Sequence, residues 1–256
     1  MPQLSDISVV VIAKNEADQI GDCLVSCAAF PNRYVIDTGS TDSTPVLSEQ
    51  MGATVIHRQF TNFRDIRAFA LTQVMTEWVL FLDADERLSP AVARWLENDC
   101  PPDWTGLRIP RRNMLLGSWV KYSGWGDDAP LRLARVGMAH MAAQRVHESI
   151  EVDGIVGRLD SDHDVHIIHH TCRDLSSYMA KINHYTSIEA ADRASDPAFK
   201  TSAIAILSRS IGMFTQTLFH FKGRKDGERG TILACLNLVY SVLLMIKIWE
   251  LRQPHD

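Results

Sequence analysis

The chain has 256 residues, a formal net charge of −5, 46% hydrophobic and 22% charged residues, the composition of a globular protein with a sizeable core and not of a disordered or fibrous one. An acidic balance argues against a general nucleic-acid binder, which needs a basic face to neutralise phosphates, so no nucleic acid is expected as a partner. Five cysteines (Cys23, Cys27, Cys100, Cys172, Cys235) lack paired C-x-x-C spacing, and no basic segment followed by a long apolar one precedes Lys14. These features indicate neither a zinc ribbon nor a disulfide framework and predict a reduced, cytoplasmic setting.

Ile7–Ala13 is β-branched and almost wholly apolar, as a central parallel strand is, and Lys14-Asn15-Glu16 stands at its carboxyl end. A helix from about Ala17 to Ala29 puts Ile20, Leu24 and Cys27 on one face, and Pro31-Asn32 stops it. Tyr34–Ile36 is a short strand. It opens into Asp37–Thr44, a loop dense in capping side chains that leads through Thr44-Pro45 into a second helix ending near Met51. Ala53–Ile56 is a third strand and 64–75 a third helix. Trp78–Leu82, five large apolar residues in a row, reads as a strand buried on both faces and runs into Asp83-Ala84-Asp85-Glu86. Strands alternating with helices of this length predict an α/β fold with a mostly parallel, doubly wound sheet.

Past Pro101-Pro102 the pattern changes. Residues 107–112 and Leu131–Arg135 alternate apolar with basic residues, as half-buried strands do. Between them, Gly117–Gly126 supplies glycines for a mobile loop and two tryptophans, Trp119 and Trp125, suited either to a sugar face or to core packing. A helix over 175–194 ends at Asp196-Pro197. Two mostly apolar helices follow, 203–221 and 231–249, joined by a basic linker; Asn237, Ser241 and Lys247 interrupt the second. Helices flanked by Lys and Arg suit an anionic membrane surface; the competing readings are a buried helical pair and a homodimer interface, and, ranked last, a transmembrane span, for which the second run is long enough.

Each early strand ends in polar residues: Asn15 and Glu16, Asp37, then Asp83 with Asp85. Ligands of open α/β sheets bind beyond the carboxyl ends of the strands. On an extended chain Asp83 and Asp85 project to one side, and their mutual repulsion asks for a cation between them, most simply a divalent metal carrying a phosphate. Glu86 reads as a cap for the helix starting near Ser89-Pro90. No G-x-G-x-x-G after the first strand and no G-x-x-x-x-G-K-[ST] occurs, which disfavours a dinucleotide fold or a P-loop enzyme.

The segments VVVIAKNEA, VIDTGSTDST, NFRDIRAFAL and WVLFLDADE, in this order and spacing, resemble the N-terminal half of family 2 glycosyltransferases of GT-A fold. GSWVKYSGW, Asp128 with LRLAR, RVHESIEVDG and a terminal KIWE extend the likeness toward the bacterial branch that includes the glucosyltransferases of the lipopolysaccharide inner core. What the resemblance implies is a GT-A domain over 1–172, with a nucleotide-sugar half to about 100 and an acceptor half after it, and a helical segment over 173–256. Asp37 would contact the base of a nucleotide sugar, most simply a UDP-sugar, with Ala13, Asn15 and Glu16 completing the pocket. Asp83 and Ala84 would lie by the ribose, and Asp85, aided by Asp83, would hold Mn2+ or Mg2+ on the diphosphate. Arg67 would reach that diphosphate.

The resemblance also implies an inverting transfer, with Asp128 as general base and Asp127 and Glu148 as runners-up. His147 offers a third metal ligand; Trp119, Trp125, Glu148 and His169 would meet the acceptor, a lipid-linked or other cell-envelope saccharide. The expected site of action is the cytoplasm, at the inner face of the cytoplasmic membrane where the acceptor is lipid-linked. Two rivals are a sugar nucleotidyltransferase and a non-catalytic saccharide-binding protein on the same fold.

Overall fold

The computed structural model describes residues 2–141, 150–160 and 164–253, so His147 and Glu148 lie outside the described residues. In chain order the elements are β1 (Ile7–Ala13), α1 (Ala17–Ser26), β2 (Asn32–Asp37), α2 (Thr44–Gln50), β3 (Thr54–His57), α3 (Phe63–Gln73), β4 (Trp78–Asp83), β5 (Glu86–Leu88), α4 (Ala91–Asn98), β6 (Trp104–Arg108) and β7 (Arg111–Leu115). Then come β8 (Ser118–Trp119), β9 (Leu131–Arg135), β10 (Ala139–Met141), β11 (Ile150–Val152), β12 (Ile155–Arg158), β13 (Ile167–Cys172), α5 (Leu175–Arg193), α6 (Ala203–Thr215) and α7 (Glu228–Leu251). The chain divides into two compact units, Met1–Arg112 with Asp128–His169, and Asn113–Asp127 with His170–Asp256.

The first unit is built on a seven-stranded sheet of order β12-β6-β9-β4-β1-β2-β3. Strands β1 to β4 are mutually parallel where they pair, whereas β9 runs antiparallel to β4 and to β6. Side chains alternate across a strand, so the continuous apolar runs serve two layers at once. Val9, Val11, Val35, Leu80 and Leu82 join Ile20, Leu24, Val92 and Leu96 in one buried cluster. Val10, Ile36, Val79 and Phe81 join Ile66 and Ala70 in the other. The α/β reading of the first hundred residues is what the structure shows.

Two local expectations need correction. The stretch 107–112 is not one strand: Pro110 has no N–H to give a ladder, and the chain breaks there into β6 and β7. Gly117–Gly126 is not a mobile loop but a pinned one. Asp226 accepts the N–H groups of Lys121 (3.0 Å) and Tyr122 (3.0 Å) and the Ser123 hydroxyl (2.7 Å), and Ser123 N–H donates to the Phe221 carbonyl at 2.9 Å. Gly126 is required there, since a Cβ would stand 1.7 Å from the Lys121 carbonyl oxygen.

Within the second unit α7 packs on α5 and α6. The polar residues that interrupt its apolar run find partners there. Lys247 Nζ donates to the Asn183 carbonyl (2.6 Å) and to the Thr186 and Ser187 hydroxyls (2.8 Å each), Ser241 pairs with Ser210, and Asn237 donates to Thr217.

Candidate active site

β2 and β3 succeed β1 on one side while β4 returns on the other, so the order in which strands are added reverses between β1 and β4. That reversal opens a crevice beyond the carboxyl ends of the two strands. Register sets Asp37 level with Ala13, and Asp83 level with Ile12. Acids from β2 and β4 therefore flank the end of β1.

The loop after β2 is knitted to the loop after β1. Asn15, Glu16 and Ala17 donate their N–H groups to Ser40 Oγ (2.9 Å), Thr44 Oγ1 (2.8 Å) and Asp42 Oδ2 (3.1 Å). Asn15 adopts a left-handed φ of 55°, and its side-chain oxygen accepts the Thr41 N–H at 2.8 Å. The Ala13 carbonyl accepts from both the N–H and the hydroxyl of Thr38. These bonds have a chemical consequence. Three successive N–H groups at the start of α1, where a dinucleotide fold would cradle phosphate, are already taken by side chains.

Asp37 is buried. Burial alone would raise its pKa, but hydrogen bonds from Ser40, His57 (Nδ1 at 3.1 Å) and the Gly39 and Ser40 N–H groups hold the carboxyl below the usual range. It is a fixed anion at the end of β2.

The second cluster begins at Asp83. Ala84 and Asp85 form a turn, so the expectation that Asp83 and Asp85 share a side by strand alternation does not hold; β5 starts at Glu86 instead. Asp85 Oδ2 lies 3.3 Å from His169 Nε2, because β13 runs antiparallel to β5 with His169 opposite Glu86. The sequence thus predicted both members of that pair without predicting that they meet.

Glu86 is no helix cap. Its side chain is 0% exposed and lies between two guanidinium groups: Arg111 Nη1 at 3.0 Å, and Arg132 Nη2, which also reaches Asp83 Oδ2 at 2.7 Å. The other Glu86 oxygen accepts the Asp83 N–H at 3.1 Å. Arg111 goes on to Asp128, with Nε at 2.8 Å and Nη2 at 2.7 Å from Oδ2, and its own N–H donates to the Asp128 carbonyl at 2.7 Å. The alternation in Leu131–Arg135 predicted a solvent-facing Arg132. It is buried because β9 sits inside the sheet between β4 and β6, and two carboxylates receive its charge.

A buried ion pair holds only when each charge is met and hydrogen-bonded. Burial would lower the pKa of Arg132, but Asp83 and Glu86 hold it well above the usual value. The reciprocal effect on Asp83 is a lowered pKa: burial opposes it, while Arg132 and, from α3, the charge of Arg67 favour the carboxylate. Arg132 Nε has no hydrogen-bond partner among the described residues.

Sequence reasoning missed Glu86, Arg111 and Arg132. The available signal was an acid immediately after D-x-D together with arginines inside a stretch otherwise fit for a central strand. Asp127, Trp119 and Trp125 fall in the second unit, where Trp125 packs on the cluster of Leu115, Val120, Leu233 and Leu236.

Among the described residues no three Asp, Glu, His or Cys side chains gather as a ready metal cage. Asp83 closes β4 and Asp85 stands on the turn after it, and both are hard oxygen donors. They fit a divalent ion that takes the rest of its shell from phosphate and water, as Mg2+ commonly does.

Residues 8–102 match the sequence model of Glycosyl transferase family 2. A lipopolysaccharide core biosynthesis glycosyltransferase of Rhizobium meliloti is 25% identical over 252 residues, covering 95% of this chain and 92% of its own length. A Rickettsia felis glycosyltransferase is 36% identical over 87 residues, covering 34% of this chain and 31% of its own. Among solved structures, glucosyl-3-phosphoglycerate synthase from Mycobacterium tuberculosis, in complex with Mn2+, UDP and glucosyl-3-phosphoglycerate, is 22% identical over 41% of this chain and 44% of that one, with a TM-score of 0.36. The matched residues 8–102 carry β1, β2 and β4 with Asp37, Asp83 and Asp85 at their ends, and the Rhizobium relative aligns along nearly the whole chain: over that segment the chain is similar to glycosyl transferase family 2, and the protein is a glycosyltransferase.

Proposed function

We propose that the protein is a metal-dependent, inverting glycosyltransferase that moves a sugar from a nucleoside diphosphate, most simply UDP, to a cell-envelope saccharide. The observation that carries this reading is the placement of Asp37, Asp83 and Asp85 beyond the ends of strands flanking one switch point, with the α1 N–H groups already engaged. Asp37 binds the base, with Ala13, Asn15 and Glu16 shaping its pocket, and Asp83 with Ala84 faces the ribose. Arg67 meets the diphosphate. Asp85 and Asp83 hold Mn2+ or Mg2+, with His147 as a third ligand. Such an ion, when bound, offsets the charge that builds on the departing diphosphate.

An acceptor hydroxyl attacks the anomeric carbon from the face opposite the diphosphate, a C–O bond forms as the sugar–phosphate bond breaks, and Asp128 takes the hydroxyl proton. Arg111 orients that carboxylate by holding Oδ2 from two nitrogens. His169 and Glu148 are assigned to the acceptor. The name of the Rhizobium relative supports a lipopolysaccharide core saccharide as that acceptor.

A sugar nucleotidyltransferase would want free backbone donors after its first strand, and Asn15–Ala17 do not provide them. Thermal-shift titration against a panel of nucleotide sugars with Mn2+ tests the donor. Stabilisation by one of them supports the reading, and no response to any favours a non-catalytic protein. Asp128→Asn is expected to cut kcat about 100-fold or more while nucleotide binding persists; retained turnover sinks the base assignment.

We also infer that the second unit rests on an anionic lipid surface at the cytoplasmic side. It carries twelve Lys and Arg against nine Asp and Glu, while the first unit carries fourteen against twenty-two. On α6, Ile204, Leu207 and Ile211 are 81%, 61% and 54% exposed at helical spacing. Apolar side chains on a net basic unit fit an anionic bilayer.

A further inference from the structure

The buried carboxylate of Glu86 is more than a structural counter-ion. Five side chains form one ionic chain, Asp83–Arg132–Glu86–Arg111–Asp128, and Glu86 is its middle member. The two ends differ in use: Asp83 belongs to the donor side and Asp128 to the acceptor side. Within the chain, Arg132 lies between Asp83 and Glu86, and Arg111 between Glu86 and Asp128. Each arginine is therefore shared between two acids.

We propose that Glu86 is a positioning residue that, by drawing on Arg132 and Arg111 together, leaves Asp83 enough negative charge to serve a divalent cation and ties its placement to that of Asp128. Arg132 Nη2 touches both Asp83 and Glu86. Removing the Glu86 charge turns that guanidinium wholly onto Asp83. Removing Arg111 has the opposite effect, since Glu86 is then free to compensate Arg132 and Asp83 is less neutralised. The backbone is engaged as well, because the Asp83 N–H donates to Glu86 Oε2 and the Arg111 N–H to the Asp128 carbonyl. The inference rests on the donor-site reading of Asp83.

The test is UDP binding to the purified full chain by calorimetry, with and without Mn2+, and its readout is the gain in affinity that Mn2+ confers. Glu86→Gln keeps the length of the side chain and is expected to reduce that gain about tenfold, the usual scale for residues that orient metal ligands. Metal-free UDP binding should hold or tighten, because the site becomes more positive. Arg111→Gln is expected to enlarge the gain; it carries the test by itself if the Glu86 variant does not fold. A merely structural role predicts that both variants lose affinity with and without metal alike, and that result, or an unchanged gain in both, overturns the proposal. A wild-type chain that binds UDP in neither condition overturns the donor reading and this inference together.

Discussion

At the scale of single residues, charge placement separates the buried acids. Glu86 has lost all contact with water and depends on Arg111 and Arg132. Arg132→Met strands it beside one remaining cation, and the expected cost is about 3–5 kcal/mol of stability, read as a lower urea midpoint. Asp37 shows a different dependence. Its folded pKa is depressed by hydrogen bonds, so the stability it contributes is complete above the unfolded carboxylate value of about 4 and is lost as pH falls through the lower folded value. Acid titration of wild type and Asp37→Asn is therefore expected to show the wild type losing more stability below about pH 4, with the two curves parallel above it. Neither behaviour is legible from residue type alone, because one acid among several in the sequence differs from another only in what surrounds it.

At the scale of elements, the parallel strands were legible because a strand covered on both faces needs an unbroken apolar run, and Val9–Ala13 and Trp78–Leu82 are such runs. Strand β9 was misjudged for the same reason in reverse. Leu-Arg-Leu-Ala-Arg alternates like a half-buried strand, yet Leu131, Arg132, Leu133 and Ala134 are all buried. Close packing also governs β12, where Gly157 pairs beside Leu107 and a Cβ would meet the Trp104 ring at 2.0 Å. Gly157→Ala is expected to displace that indole and cost about 1–3 kcal/mol, visible as a lower melting temperature.

At the scale of the whole molecule, the charge is divided unevenly. The unit carrying the acids of the candidate site is strongly negative by count, and the unit carrying the apolar α6 face is positive. Flotation of the full chain with vesicles containing phosphatidylglycerol is expected at low salt and not with neutral vesicles. Leu207→Glu combined with Ile211→Glu should abolish it. A chain that stays at the bottom with anionic vesicles removes the membrane reading, and a concentration-dependent mass without lipid would assign the α6 face to a second copy.

What the sequence determined by itself is what depends on near neighbours: the strand and helix periods, the capping loop after Tyr34–Ile36, and the acids that close the strands. Those patterns act over a few residues and survive in any arrangement of the rest. Only the tertiary structure decided that Arg111 and Arg132 would meet Glu86 from 25 and 46 positions away, and that Asn113–Asp127 would fold with the C-terminal helices. A buried charge needs a partner, but the need does not say which of 26 basic residues will answer it. The order of strands in the sheet brings these particular side chains within reach of one another.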